Sequence, residues 1–131
     1  MHPRKLDHVA ALPGDRRYGY FIRKVADFQT LWSLRDESAW ASEQWRGEIV
    51  LPVWPERDFA AICATAAWRG MTPTAIELCD FLGQWTREGI ARYRYFSVFP
   101  SAGDDPIEQR GQLTQAEILR RDLATELQQY L

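Results

Sequence analysis

Glu48-Ile49-Val50-Leu51-Pro52-Val53-Trp54-Pro55 is the stretch on which the fold turns. Its aliphatic and β-branched residues read as a strand, with Ile49, Leu51 and Val53 on one face and Val50 and Pro52 on the other. Pro52 has no N–H to give to a ladder, which predicts a strand end or an edge at that point. Pro55 suits the first turn of a helix. The stripe Phe59, Ile62, Cys63 and Ala66 carries that helix toward Gly70.

Working outward, Leu31 to Arg35 and Ala39 to Glu43 read as short strands around a turn at Arg35-Asp36-Glu37-Ser38. Strands this close in sequence predict an antiparallel meander. Before them, Leu6 to Leu12 is a short helix ended by Pro13-Gly14, and Asp15 caps a second helix running to about Phe28. Tyr18, Phe21, Ile22, Val25 and Phe28 share one face of that helix, and Arg16, Tyr20, Arg23, Lys24 and Asp27 the other. After the central strand, Met71 to Thr74 reads as a loop and Ile76 to Leu78 as a brief strand or turn. A short helix starting at Asp80 turns Leu78, Phe81, Leu82 and Trp85 inward and ends at Gly89. Arg92 to Phe99 is the strongest strand, stopped by Pro100. Ser101 to Pro106 forms a polar turn. Thr114-Gln115-Ala116-Glu117 has capping-box spacing and opens a terminal helix with Leu119, Leu123, Leu127 and Tyr130 as its stripe. The expectation is an α+β fold: one domain over residues 1–131, with a meander plus one late strand in a single sheet packed by four to five helices. Residues 1–14 are expected to form a loosely attached N-terminal segment.

Composition narrows the function classes. At 131 residues, 46% hydrophobic and 26% charged, the chain matches one globular domain and not a disordered or low-complexity segment. A net charge of −2 argues against a dedicated nucleic-acid binder, although Arg92-Tyr93-Arg94-Tyr95 interleaves cations and rings. No apolar run reaches the ~20 residues of a membrane span, and no signal-peptide pattern opens the chain, so a cytoplasmic protein without a membrane partner is expected. Cys63 and Cys79 fit neither a redox pair nor zinc-ligand spacing. Cys63 lies on an apolar stripe and reads as a buried, inert thiol. His2 and His8 lie six apart in the N-terminal segment, off a common helix face. The acidic pairs Asp36-Glu37 and Asp104-Asp105 read as turns, and Glu56 with Asp58 as a first helical turn. Neither a nucleophile elbow nor a phosphate-binding glycine pattern occurs. The reading therefore assigns no catalytic residue, no metal and no cofactor.

The motif Arg17-Tyr18-Gly19-Tyr20-Phe21-Ile22-Arg23-Lys24-Val25-Ala26-Asp27, followed by Leu51-Pro52-Val53-Trp54-Pro55, Ile76-Glu77-Leu78-Cys79-Asp80-Phe81-Leu82 and Val98-Phe99-Pro100, resembles a bacterial family catalogued as domain of unknown function twenty-seven-fifty. The resemblance runs from about Asp15 onward. Cys79 stands where that family often carries a second acidic residue. Around Leu51 to Phe59 there is also a fold-level similarity to secretion-associated SseB-like domains and to small bacterial immunity proteins. The family name implies no activity, so the resemblance implies a single α+β domain and leaves function open.

Six tryptophans are the compositional signal that remains. A small core holds two or three, which places others at the surface, where aromatic anchors favour binding. The expected recognition surface is a groove with Trp54, Pro55 and Trp85 as anchors and Tyr20 and Arg17 as polar contacts. The resulting expectation is a non-enzymatic module that binds a protein, a peptide or a second copy of itself. Two alternatives stand beside it. One is an immunity or antitoxin protein against a bacterial effector. The other is a small-ligand sensor or enzyme in which Arg17 converges with Glu77 or Asp80.

Overall fold

The computed structural model of the chain describes residues 2–86 and 95–131. Two helices open it, α1 (Pro3–Ala10) and α2 (Gly14–Phe28). Strands β1 (Thr30–Arg35), β2 (Glu43–Trp45) and β3 (Glu48–Val53) follow, then α3 (Arg57–Ile62). A 3₁₀ turn at Ala66–Trp68 leads to β4 (Thr72–Glu77), and α4 (Leu78–Asp80) passes directly into a π-helical turn, Phe81–Trp85. The last elements are β5 (Tyr95–Val98), α5 (Ile107–Arg110), β6 (Gln112–Gln115) and α6 (Ala116–Leu127). The fold is α+β, as expected, with six α-helices among the described residues.

The sheet layout differs from the expected single meander. The strands form a four-stranded sheet ordered β2-β3-β5-β6 and a two-stranded sheet, β1-β4. β3 and β5 run parallel, while the other neighbours are antiparallel. The expected hairpin between Leu31–Arg35 and Ala39–Glu43 shrinks to one bridge, Arg35 with Trp40, because the same edge of β1 is occupied further back. There Trp32 and Trp54 exchange both backbone hydrogen bonds at 2.8 Å, and this bridge joins the two sheets.

Pro52 sits inside β3, paired with Ser97. Its backbone faces the same side as Trp54, two residues on, and therefore points toward β1 and away from β5. β2 has already ended its pairing at Val50, so no ladder bond is lost, and Ser33 Oγ donates to the Pro52 carbonyl at 2.7 Å. Val50 to Val53 are buried on both faces, which explains the unbroken apolar run. Three other expectations shift. The loop expected over Met71 to Thr74 and the brief strand or turn expected over Ile76 to Leu78 give way to one strand, Thr72–Glu77, which within the described pairings lies at an edge, where Pro73 and threonines are tolerated. Thr114 is a buried strand residue opposite Phe96, so α6 starts at Ala116 without a side-chain cap. The helix after Pro55 stops at Ile62, which leaves Ile62 exposed. The expected boundaries at Gly89 and Arg92 lie outside the described residues.

One apolar cluster fills the space between the sheets and helices. α2 supplies Phe21, Ile22, Val25 and Ala26, β3 supplies Leu51 and Val53, and α6 supplies Leu119 and Leu123. Tyr18 ties α2 to α6 by donating to Asp122 at 2.6 Å. The N-terminal segment packs on this cluster through buried Val9, with Leu6 and Leu12 against it. Phe28 falls outside the core at the end of α2, 60% exposed, where Gln29 turns the chain through a left-handed conformation.

Candidate functional site

Three of the five expected anchors, Arg17, Tyr20 and Trp54, meet, but inside the molecule. They surround Phe99-Pro100, the dipeptide that follows β5. Phe99 has a φ of 54°, a conformation that a bulky side chain rarely adopts. Its N–H donates to Val53 O at 2.8 Å, and its carbonyl accepts from Arg17 Nη2 at 2.5 Å. The Arg17 guanidinium lies 4.5 Å from the centroid of the Phe99 ring, while Phe59 and Tyr20 pack on that ring at 4.8 and 6.0 Å. Tyr20 donates its hydroxyl to Glu56, and its own ionisation is pushed upward, first by burial and then by that carboxylate. Trp54 Nε1 donates to Pro100 O at 3.0 Å, and Cys63 Sγ to the same oxygen at 3.5 Å. The strained turn is thus held from both sides by donors and rings.

This placement corrects the expected surface. Trp54 is fully buried and Pro55 is buried beside it, so neither presents a face to a partner. Arg17 is buried, and Tyr20 is half-buried. Trp85 lies apart from this group, edge-on to Trp40 at 4.9 Å and stacked on Phe81 at 6.2 Å. Arg17 does not converge with Glu77. About 17 Å of helix separates Arg17 from Phe28, and Glu77 pairs with Thr30 just beyond that far end. Of the tryptophans, Trp54 and Trp68 are buried, while Trp32, Trp40, Trp45 and Trp85 are half-buried.

Two clefts flank the turn, and Arg110 borders both. The first, of about 260 Å³, opens between the Cys63–Trp68 segment and the loop Ser101–Asp105. Glu43 and Arg110 form an ion pair on its wall, with side chains 24% and 13% exposed. Arg110 Nε also donates to Asp105 O at 2.7 Å, which fixes the guanidinium. The second carboxylate oxygen of Glu43 is buried and has no partner among the described residues. Asp104 and Asp105, both exposed, also line this cleft. Cys63 lines the cleft from below, its thiol pushed up to about 11 mainly by burial, against the lowering influence of Trp54, Arg17 and Arg110. The second cleft, of about 330 Å³, lies between the start of α2 and the segment Glu108–Gln112, with Arg17 and Phe99 lining it.

The sequence reading missed Glu43 and Arg110 as partners. They lie 67 positions apart, and neither stands in a local motif. Asp104-Asp105 was visible as an acidic turn, but nothing local shows what it faces.

Residues 18–112 match the family described as Protein of unknown function (DUF2750). The chain belongs to the DUF2750 family. No curated protein matches it. The DUF2750 match contains every residue of the first cleft, and it stops one residue short of Arg17. Among the described residues, no cluster of His, Cys, Asp and Glu could hold a metal ion, and no helix is long and apolar enough to cross a membrane.

Proposed function

We propose that this DUF2750 chain is a non-enzymatic binding module that takes a basic side chain of a peptide or protein partner in the cleft beside Arg110. The observation that carries this reading is the divided state of the Glu43 carboxylate. One oxygen is on Arg110, and the other is buried and has no donor among the described residues, in a side chain that lines the cleft. A buried acceptor left unpaired is costly, and an incoming ammonium or guanidinium supplies the missing donor. The negative charge of Asp104 and Asp105, which also line the cleft, adds attraction for a cation. The volume, about 260 Å³, suits one side chain and falls below the roughly 300–1,000 Å³ of small-molecule sites. Cys63 remains a thiol at neutral pH, which favours a packing role over a nucleophilic one.

Selection of short peptides from a random display library on the immobilised protein tests this reading. Enrichment of a lysine or arginine at one fixed position is expected, with loss of that enrichment on Asp104→Asn/Asp105→Asn, whose exposed side chains leave the core untouched. Enrichment of acidic or purely aromatic peptides would overturn it.

A further inference from the structure

The second cleft is lined by a buried guanidinium that lies on the Phe99 ring but has no carboxylate partner among the described residues. Arg17 is 8% exposed, so more than nine-tenths of it is removed from water. Nη1 donates to Ala10 O at 3.3 Å and Nη2 to Phe99 O at 2.5 Å, and both acceptors are neutral carbonyls. Among the described residues, Nε has no partner and no carboxylate pairs with the guanidinium. A buried charge without a counter-ion is disfavoured unless a ligand answers it. Buried arginines are normally found with a carboxylate in their fork.

A second feature points the same way. α2, 15 residues long, begins at Gly14, which lines this cleft, and among the described residues no side chain caps its first turn. Gly14 and Arg17 are three apart and share a helix face. The space where a Cβ on Gly14 would stand is open, with nothing within 4 Å. A helix start of this kind presents N–H groups and a partial positive charge to an anion.

We propose that this cleft binds a carboxylate, held by the Nε side of the Arg17 guanidinium and by the first-turn N–H groups of Gly14 and Asp15. Nε and Nη2 form one planar fork, which matches the two oxygens of a carboxylate. Asp15 and Glu108 also border the cleft, and their negative charge opposes a dianion such as phosphate more than a monoanion. The carboxylate can come from a small organic acid or from the terminus or an acidic side chain of a polypeptide. The chemistry of recognition is the same in each case. The site is separate from the cleft proposed for a basic side chain, so either can fail alone.

The test is an NMR titration of the ¹⁵N-labelled wild-type protein with sodium acetate, read at the Arg17 Nε–H resonance and at the amides of Gly14 and Asp15. Sodium chloride at matched ionic strength is the control, and inorganic phosphate is the comparison anion. Saturable shifts with acetate, absent with chloride and weaker with phosphate, are expected. An Arg17 signal that moves no further in acetate than in chloride would overturn the proposal. Because Arg17 also supports the Phe99 turn, its own substitution risks the fold, and Gly14→Pro is the better variant. Proline fits the first helical position and removes one N–H. Roughly threefold weaker acetate binding is expected from the lost helix-terminus contribution, and unchanged binding in the folded variant would overturn the geometry. Lactate, a monoanion, and an N-blocked tripeptide, with its C-terminal amide as control, then separate the sources. Tighter lactate binding identifies a small acid, and tighter binding of the free-terminus peptide identifies a polypeptide end.

Discussion

Replacing Trp54 by alanine separates a ring that supports the fold from one that receives a partner. The side chain is fully buried, lies edge-on to Trp68 at 6.0 Å and donates to Pro100 O at 3.0 Å, and its backbone joins the two sheets. Truncating a buried tryptophan costs about 3–5 kcal/mol through lost burial and the cavity left behind. Loss of the Nε1 donor leaves Pro100 O to the weak Cys63 thiol, which adds about 1 kcal/mol. Against a total stability of roughly 5–15 kcal/mol, Trp54→Ala removes a large share of the folding free energy. The thermal midpoint is expected to fall by about 4 °C for each kcal/mol lost. Trp85→Ala, at a half-buried ring on Trp40, is expected to cost roughly 1–3 kcal/mol. Urea unfolding followed by circular dichroism gives both values, with the m-value checking two-state behaviour. A Trp54→Ala loss below about 1 kcal/mol would refute its placement at the seam between the sheets.

Further expectations concern the turn and the first cleft. Gly111→Ala puts a Cβ 2.6 Å from Ser97 Oγ and 2.9 Å from Pro100 Cα, so a loss of about 1–3 kcal/mol is expected in urea unfolding. Ser97→Ala in that background recovers only part of it, because the Pro100 contact remains, and an unchanged midpoint for Gly111→Ala would contradict the packing. Iodoacetamide is expected to alkylate exposed Cys79 at once and buried Cys63 only on unfolding, and equal rates would be the contrary result. The unfolded chain releases the Cys63 proton near pH 9.0, whereas the native state holds it to about 11. The stability from this thiol is therefore present below pH 9 and lost as pH rises toward 11, by about 2–3 kcal/mol. Cys63→Ala is expected to flatten that part of the pH profile, and a profile of unchanged slope would exclude the burial of the thiol as its cause. Glu43→Gln breaks the charge pair with Arg110 and is expected to cost about 1–3 kcal/mol. An unaltered urea midpoint would show that the pair does not hold the loop.

The elements that the sequence revealed are those with local signals. α2, the β3 run, the end of β5 at Pro100 and the stripe Leu119-Leu123 of α6 all follow from periodicity and breakers. Strand partnership did not follow, because pairing is decided between segments far apart in the chain. Nothing within Leu31 to Glu43 shows that Trp54 will occupy the β1 edge. The first half of β4, Thr72 to Thr74, looked like a loop because edge strands tolerate the proline and polar residues that mark loops. The candidate site shows the same division. Arg17, Tyr20 and Trp54 do gather around one turn, but the clustering of aromatic and charged residues carries no sign of which side faces water. Glu43 and Arg110 became visible only once β2 and α5 were placed side by side.

The most direct measurement for the basic-side-chain cleft is a ¹⁵N NMR titration with Nα-acetyl-lysine amide, read at the Trp68 indole N–H, which donates to Ser42 O at 3.3 Å beside the cleft. A saturable shift at Trp68 and at the Ser101 amide is expected, lost when the ligand is the uncharged norleucine analogue and weakened in Asp104→Asn/Asp105→Asn. Equal shifts with lysine and norleucine, or shifts confined to residues away from Glu43 and Arg110, would contradict a cleft built for a basic side chain.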